Sequence, residues 1–90
     1  MSVPMPEICR FFGIIIVMYY NDHAPPHFHA RYGSRKAAID IETLGIIDGE
    51  LTPRALGLVT ERAARHREEL RADWDLAPRH EILLPIAPLE

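Results

Sequence analysis

Apolar residues run almost unbroken from Phe11 to Tyr20, then recur at every second position, and finally fall at helical spacing. That succession predicts strands in the first half of the chain and a helix in the second. The first run is β-branched and aromatic, which favours a strand over residues 10–20. Both of its alternating sets are apolar, so this strand is expected to be covered on both faces or to lie in a dimer interface. Residues 21–26 read as a loop, with Asn21 and Asp22 suited to turn initiation and Pro25 and Pro26 fixing an extended exit. His27 to Tyr32 is the second strand, Gly33 and Ser34 form a two-residue hairpin, and Arg35 to Glu42 is the third strand.

The hairpin sets a register. With Gly33 and Ser34 as the loop, Tyr32 opposes Arg35 and the pairing runs back to His27 opposite Asp40. Side chains alternate between faces. Phe28, Ala30, Ala37, Ile39 and Ile41 then form a core face. His27, His29, Arg31, Lys36, Ala38, Asp40 and Glu42 form a polar surface on the other side. A slip of one residue would exchange the faces, and the apolar set forbids it.

Thr43, Leu44 and Gly45 turn the chain, and residues 46–50 make a short fourth strand. Thr52 is placed to cap a helix that opens with Pro53. Leu56, Val59, Ala63, Leu70 and Trp74 mark its dry side, and Arg54, Glu61, Arg62, Arg65, Glu68, Glu69 and Arg71 its wet side. Pro78 ends it near Ala77. The expected architecture is α+β: a three- to four-stranded antiparallel sheet with one long C-terminal helix packed on one face. Residues 1–9 are expected as an extended arm of this single domain. Residues 79–90 are expected as a proline-punctuated tail that lies on an edge, covers the second sheet face or docks on a partner.

Composition narrows the classes. Ninety residues make one small core. The net charge of −3 argues against a strongly basic nucleic-acid module, while ten cationic residues, nine of them arginine, leave room for a local basic patch. The longest apolar run is too short to span a bilayer, so no membrane association is expected. Cys9 is the sole cysteine. It reads as a small buried apolar residue more readily than as a nucleophile, and a lone thiol suits the cytoplasm.

Candidate chemistry is concentrated in the tract from Tyr20 to Tyr32, where His23, His27 and His29 fall within seven residues. His27 and His29 leave one strand face with Cα atoms roughly 6.5–7 Å apart. Three readings compete. In the first, His23, His27 and His29, with Asp22 or Asp40, hold a divalent transition metal such as zinc. In the second, the tract performs metal-free acid–base catalysis on an RNA phosphodiester. His27 would be the base, oriented by Asp40, with His29 or His23 as the acid and Arg31 holding the phosphate charge. In the third, the histidines form a hydrogen-bonded polar surface that orders the loop or meets a partner chain.

Arg10 to Gly13, Tyr19 to His23, Pro25 to Ala30, Tyr32 and Gly33 together resemble the bacterial domain-of-unknown-function 4160 family. The resemblance continues through Ala38 to Ile41, Arg54 to Leu56, His66 to Leu70, Trp74, Pro85 and Ile86. Its motif positions here are Asp22, His23, His27, His29 and Arg31. The chain departs from the pattern at Ala24, where a polar residue is expected, and at Leu44, which lengthens a turn. Members are small prokaryotic proteins often encoded beside a second small domain, an arrangement resembling a toxin–antitoxin pair. The resemblance thus implies a module component with a cognate small protein from a neighbouring gene, or a partner-binding regulator. The resulting expectation is a toxin-like component acting on RNA, with a non-catalytic metal-binding or partner-binding module, possible also as a homodimer, as the alternative.

Overall fold

The structure is a computed structural model that describes residues 7–19 and 24–76. Strands β1 (Glu7–Phe11), β2 (Ile14–Val17), β3 (His27–Tyr32), β4 (Arg35–Asp40) and β5 (Ile46–Gly49) form one antiparallel sheet in chain order. Helices α1 (Pro53–Arg65) and α2 (Arg67–Leu76) complete the α+β fold. No helix among the described residues is long and apolar enough to cross a membrane.

The strand count corrects the expected three or four. The apolar run over residues 10–20 does not form one central strand; it folds back on itself at Phe12 and Gly13. Both turn residues have positive φ, +48° and +80°. That is the pattern of a hairpin turn whose twist matches its strands. Arg10 and Phe11 of the run end β1, opposite Ile15 and Ile14 of β2, and Cys9 ahead of them is opposite Ile16. Of the expected N-terminal arm, Glu7, Ile8 and Cys9 belong to β1; residues 1–6 and the tail 79–90 lie outside the described residues.

The β3–β4 pairing has the register derived above, from Tyr32 opposite Arg35 to His27 opposite Asp40. Gly33 is at φ +63°, as a glycine-first hairpin requires. Residues 46–49, expected as a fourth strand, are the fifth, β5. Gly49 makes its pairing with β4 feasible: a Cβ there would stand 2.3 Å from the Lys36 carbonyl oxygen. The side chains of Phe28, Ala30, Ala37, Ile39 and Ile41 are all buried on the core face.

The helical half is two helices where one was expected. Thr52 caps α1 by accepting from the Ala55 amide at 3.2 Å. The break falls at His66, whose amide is shared between the Arg62 and Ala63 carbonyls at 3.2 Å each. Beyond it, Arg67 Nε donates to the Ile41 carbonyl at 3.1 Å and Arg71 pairs with Glu42, so α2 is tied to the end of β4. Val59, Ala63 and Leu70 reach the core, with Trp74 packed against it. Arg62, assigned above to the wet side, is buried at 4 % exposure with its guanidinium 4.6 Å from the Phe11 ring centroid. Cation–π attraction and the apolar stem make that burial tolerable.

Candidate functional site

The polar face of the sheet is built by parity. Val17 opposes His29 and Ile15 opposes Arg31, so odd-numbered residues of β2 share this face with His27, His29 and Arg31 of β3. Lys36, Ala38 and Asp40 of β4 join them. The face is not an open surface throughout, as expected from the sequence. Toward the start of β3 it is closed: His27 is 8 % exposed, Val17 2 % and Ala38 8 %. Toward the hairpin turns it opens, and Lys36 is exposed.

Rings close the first end. The His27 and His29 ring centroids are 5.1 Å apart and nearly perpendicular. Tyr19 stands 4.4 Å from His29 in an edge arrangement, and Trp74 of α2 lies 5.2 Å from His27 on its other side. The row Tyr19, His29, His27, Trp74 therefore joins the segment that follows β2 to β3 and α2. Beside it a groove of about 160 Å³ is lined by Tyr19, His29, Lys36 and Asp48.

His27 has a defined tautomer. Its Nδ1 lies 2.6 Å from the Pro25 carbonyl oxygen. A carbonyl only accepts, so Nδ1 carries the proton and, in the neutral ring, the lone pair is on Nε2. The orienting role expected of Asp40 thus falls to a backbone group. Asp40 is opposite His27, but its Oδ1 accepts from the Glu42 and Thr43 amides at 2.7 and 2.9 Å. An Asp at a strand end is commonly drawn into such local turn bonding.

The structure brings His27, His29, Arg31 and Asp40 onto one face; His23 and Asp22 lie outside the described residues. Among the described residues no group of three or more His, Cys, Asp or Glu is placed to hold a metal ion. Tyr19 and Trp74 were legible in sequence only as packing residues. Nothing in the residues flanking them signals that each would stand against an imidazole.

Cys9 is buried on the opposite, core face. Burial pushes its thiol above the ordinary value, more than the nearby Arg62 charge lowers it. That is the electrostatics of an inert thiol, not of a nucleophile. His66 also lies away from the histidine row. Its Nδ1 meets a Glu69 carboxylate oxygen at 2.6 Å within the helical half.

At the open end, Arg31 lies directly across from Lys36. Together with Ile15, Ser34 and Arg35 they line a cleft of about 340 Å³. Arg35 pairs with the exposed Glu50 at 2.9 Å. Among the described residues no carboxylate pairs with Arg31 or Lys36.

No curated protein and no solved structure matches the chain. Residues 13–75 match the model of a family described as "Domain of unknown function (DUF4160)", which spans the histidine row, the cationic cleft and both helices, and the chain belongs to that family.

Proposed function

We propose that this protein is a toxin-like component of a toxin–antitoxin module that cleaves RNA on the polar face of its sheet. The observation that carries the reading is the fixed tautomer of His27, with the lone pair on Nε2 and a second imidazole beside it. Neutral His27 takes the proton of a ribose 2′-hydroxyl through Nε2. The 2′-oxygen attacks the adjacent phosphorus, and the bond from phosphorus to the 5′-oxygen breaks. Protonated His29 donates its proton to that leaving oxygen, so a 2′,3′-cyclic phosphate and a 5′-hydroxyl result. Arg31, two residues along the same face, balances the charge that gathers on the non-bridging oxygens. The row of rings around the pair holds the imidazoles in place, which suits catalysis by positioning.

The test compares purified wild type with His27→Ala and Arg31→Ala on a labelled RNA, alongside growth after induction. His27→Ala should lose on the order of 10²-fold or more in cleavage rate, as removal of a general base does. Arg31→Ala should slow cleavage while leaving the fold intact. Equal RNA integrity and equal growth for wild type and His27→Ala sink the reading.

A partner-binding role is favoured by one separate feature. β5 is an edge strand exposed along its whole length, with Ile46 and Ile47 at 42 % and 47 % exposure. An apolar open edge invites an added strand, which suits a cognate small protein.

A further inference from the structure

Lys36 belongs to two hollows. It lines the cleft with Ile15 and Arg31, and it lines the groove with Tyr19, His29 and Asp48. The register puts all of these strand residues on one face. Ile15, Arg31 and Lys36 stand in one row across β2, β3 and β4. Val17, His29, Ala38 and Asp48 stand in the next row, from β2 to β5. Rows two residues apart along a strand are separated by about 7 Å. The cleft and the groove therefore adjoin at Lys36 on the polar face.

Charge divides this surface. Arg31 and Lys36 are directly opposite each other, and like charges so placed weaken a sheet. An anion between them removes that repulsion. Asp48, in the groove, is exposed, and among the described residues it has neither an ion pair nor a side-chain hydrogen bond. An ionised carboxylate only accepts hydrogen bonds. It repels a phosphate, so the group that meets it must carry donors.

Among the RNA bases, guanine alone places two neighbouring donors, N1–H and the N2 amine, on its pairing edge. They match the two oxygens of one carboxylate. Adenine and cytosine set a ring acceptor beside their amine, and uracil flanks its single donor with carbonyls. Each of these turns a lone pair toward the carboxylate. The Tyr19 ring in the groove wall is an aromatic surface of the kind on which splayed RNA bases stack. At about 160 Å³ the groove is smaller than whole-ligand pockets of roughly 300–1,000 Å³ and admits a fragment such as one base.

We infer that the groove binds a guanine base of single-stranded RNA, with Asp48 accepting from the base and Arg31 and Lys36 holding the adjoining phosphate. The inference rests on the cleavage reading above and deepens it, naming guanosine as the nucleotide beside the scissile bond. His29 lines the same groove, so a base held there keeps its phosphate near the imidazole that donates the proton.

The probes are fluorescein-labelled uridine oligomers with 2′-O-methyl riboses, which cannot be cleaved, carrying guanosine, adenosine or inosine at the centre. Anisotropy is read for the full chain across a salt series, with melting temperature read in parallel. Wild type should bind the guanosine probe about tenfold tighter than the adenosine probe, the scale of one bidentate base contact. The inosine probe, which lacks the N2 amine, should fall between them. Asp48→Asn presents one acceptor and one donor, and should bring the guanosine-to-adenosine ratio to one or below it. Lys36→Ala should weaken all three probes alike, keep the ratio, and reduce the salt slope by about one. Both positions are exposed, so both variants should melt at the wild-type temperature. A preference for guanosine that depends on Asp48 supports the inference. No preference in wild type, a preference that survives Asp48→Asn, or no binding of any probe overturns it. Displacement of the probe by an equal concentration of guanosine monophosphate overturns the RNA strand as the ligand. If unmodified RNA is cut without regard to base, the inference fails and the cleavage reading stands. If the Asp48-dependent preference is present while unmodified RNA stays intact, the cleavage reading fails and the guanine groove stands.

Discussion

The two ends of strand β3 share a face and differ in almost every physical respect. At the His27 end, side chains are buried, the imidazoles touch the rings of Tyr19, just past β2, and of Trp74 in α2, and a backbone carbonyl sets a tautomer. At the Tyr32 end, side chains are exposed, two cations face each other and an aromatic residue sits strained in a turn. The first arrangement limits motion and suits groups that must be held in place. The second leaves charge and apolar surface open to solvent and suits capture. A structural role alone would account for the closed end, because buried polar groups must be bonded wherever they occur. It does not account for the open end, where the sheet would be more stable with other residues.

The largest effect should come from the residue that supports the closed end from beneath. Phe28 lies between His27 and His29 in sequence, points to the core face and is 1 % exposed. Phe28→Ala should cost about 3–5 kcal/mol, read from urea unfolding. A single transition is expected, because β3 pairs with β4 from His27 to Tyr32 and with β2 from His29 to Tyr32. Separate melting of the histidine end would show that the two ends are not one cooperative unit.

A smaller effect sharpens the contrast directly. His27→Ala removes the hydrogen bond to Pro25 and the contacts with Trp74 and His29, and should cost about 1–3 kcal/mol. Lys36→Ala, on the same face at the open end, should stay within about 0.5 kcal/mol of wild type. Equal losses at the two positions would remove the distinction between a held end and an open one.

The centre of the sheet was legible in the sequence because two independent constraints agreed there. A glycine-first turn and the parity of Phe28, Ala30, Ala37 and Ile39 admit one register, and β3 and β4 have it. The first hairpin was hidden for the opposite reason. Phe12 and Gly13 lack the usual Asn-Gly signal, and apolar residues continue on both sides of the turn, so no change of period marks it. Arg62 misled because a guanidinium at helical spacing reads as wet, while its burial depends on Phe11 arriving from a distant strand. The candidate site divides in the same way. Shared parity placed His27, His29 and Arg31 together, since that follows from one strand. The Pro25 carbonyl, Tyr19 and Trp74 could not be read, since backbone acceptors carry no sequence signal and ring contacts depend on tertiary packing.

The smallest effect concerns the row that separates the two ends. Cys9 pairs with Ile16, Ile16 with Ala30 and Ala30 with Ala37, all on the core face between the level of His29 and that of Arg31. Burial raises the Cys9 thiol above its unfolded value. The native state thus favours the protonated thiol. Its contribution is fully present below the unfolded pKa and is lost as pH rises through the folded one. Cys9→Ala should therefore flatten the alkaline limb of the stability curve while changing little at neutral pH. At neutral pH the native thiol should react with a disulfide reagent far more slowly than the same chain in urea. Fast native reaction would mean that this row opens readily. The closed end would then be no better held than the open one, and the rigidity assigned to the imidazole pair would lose its physical basis.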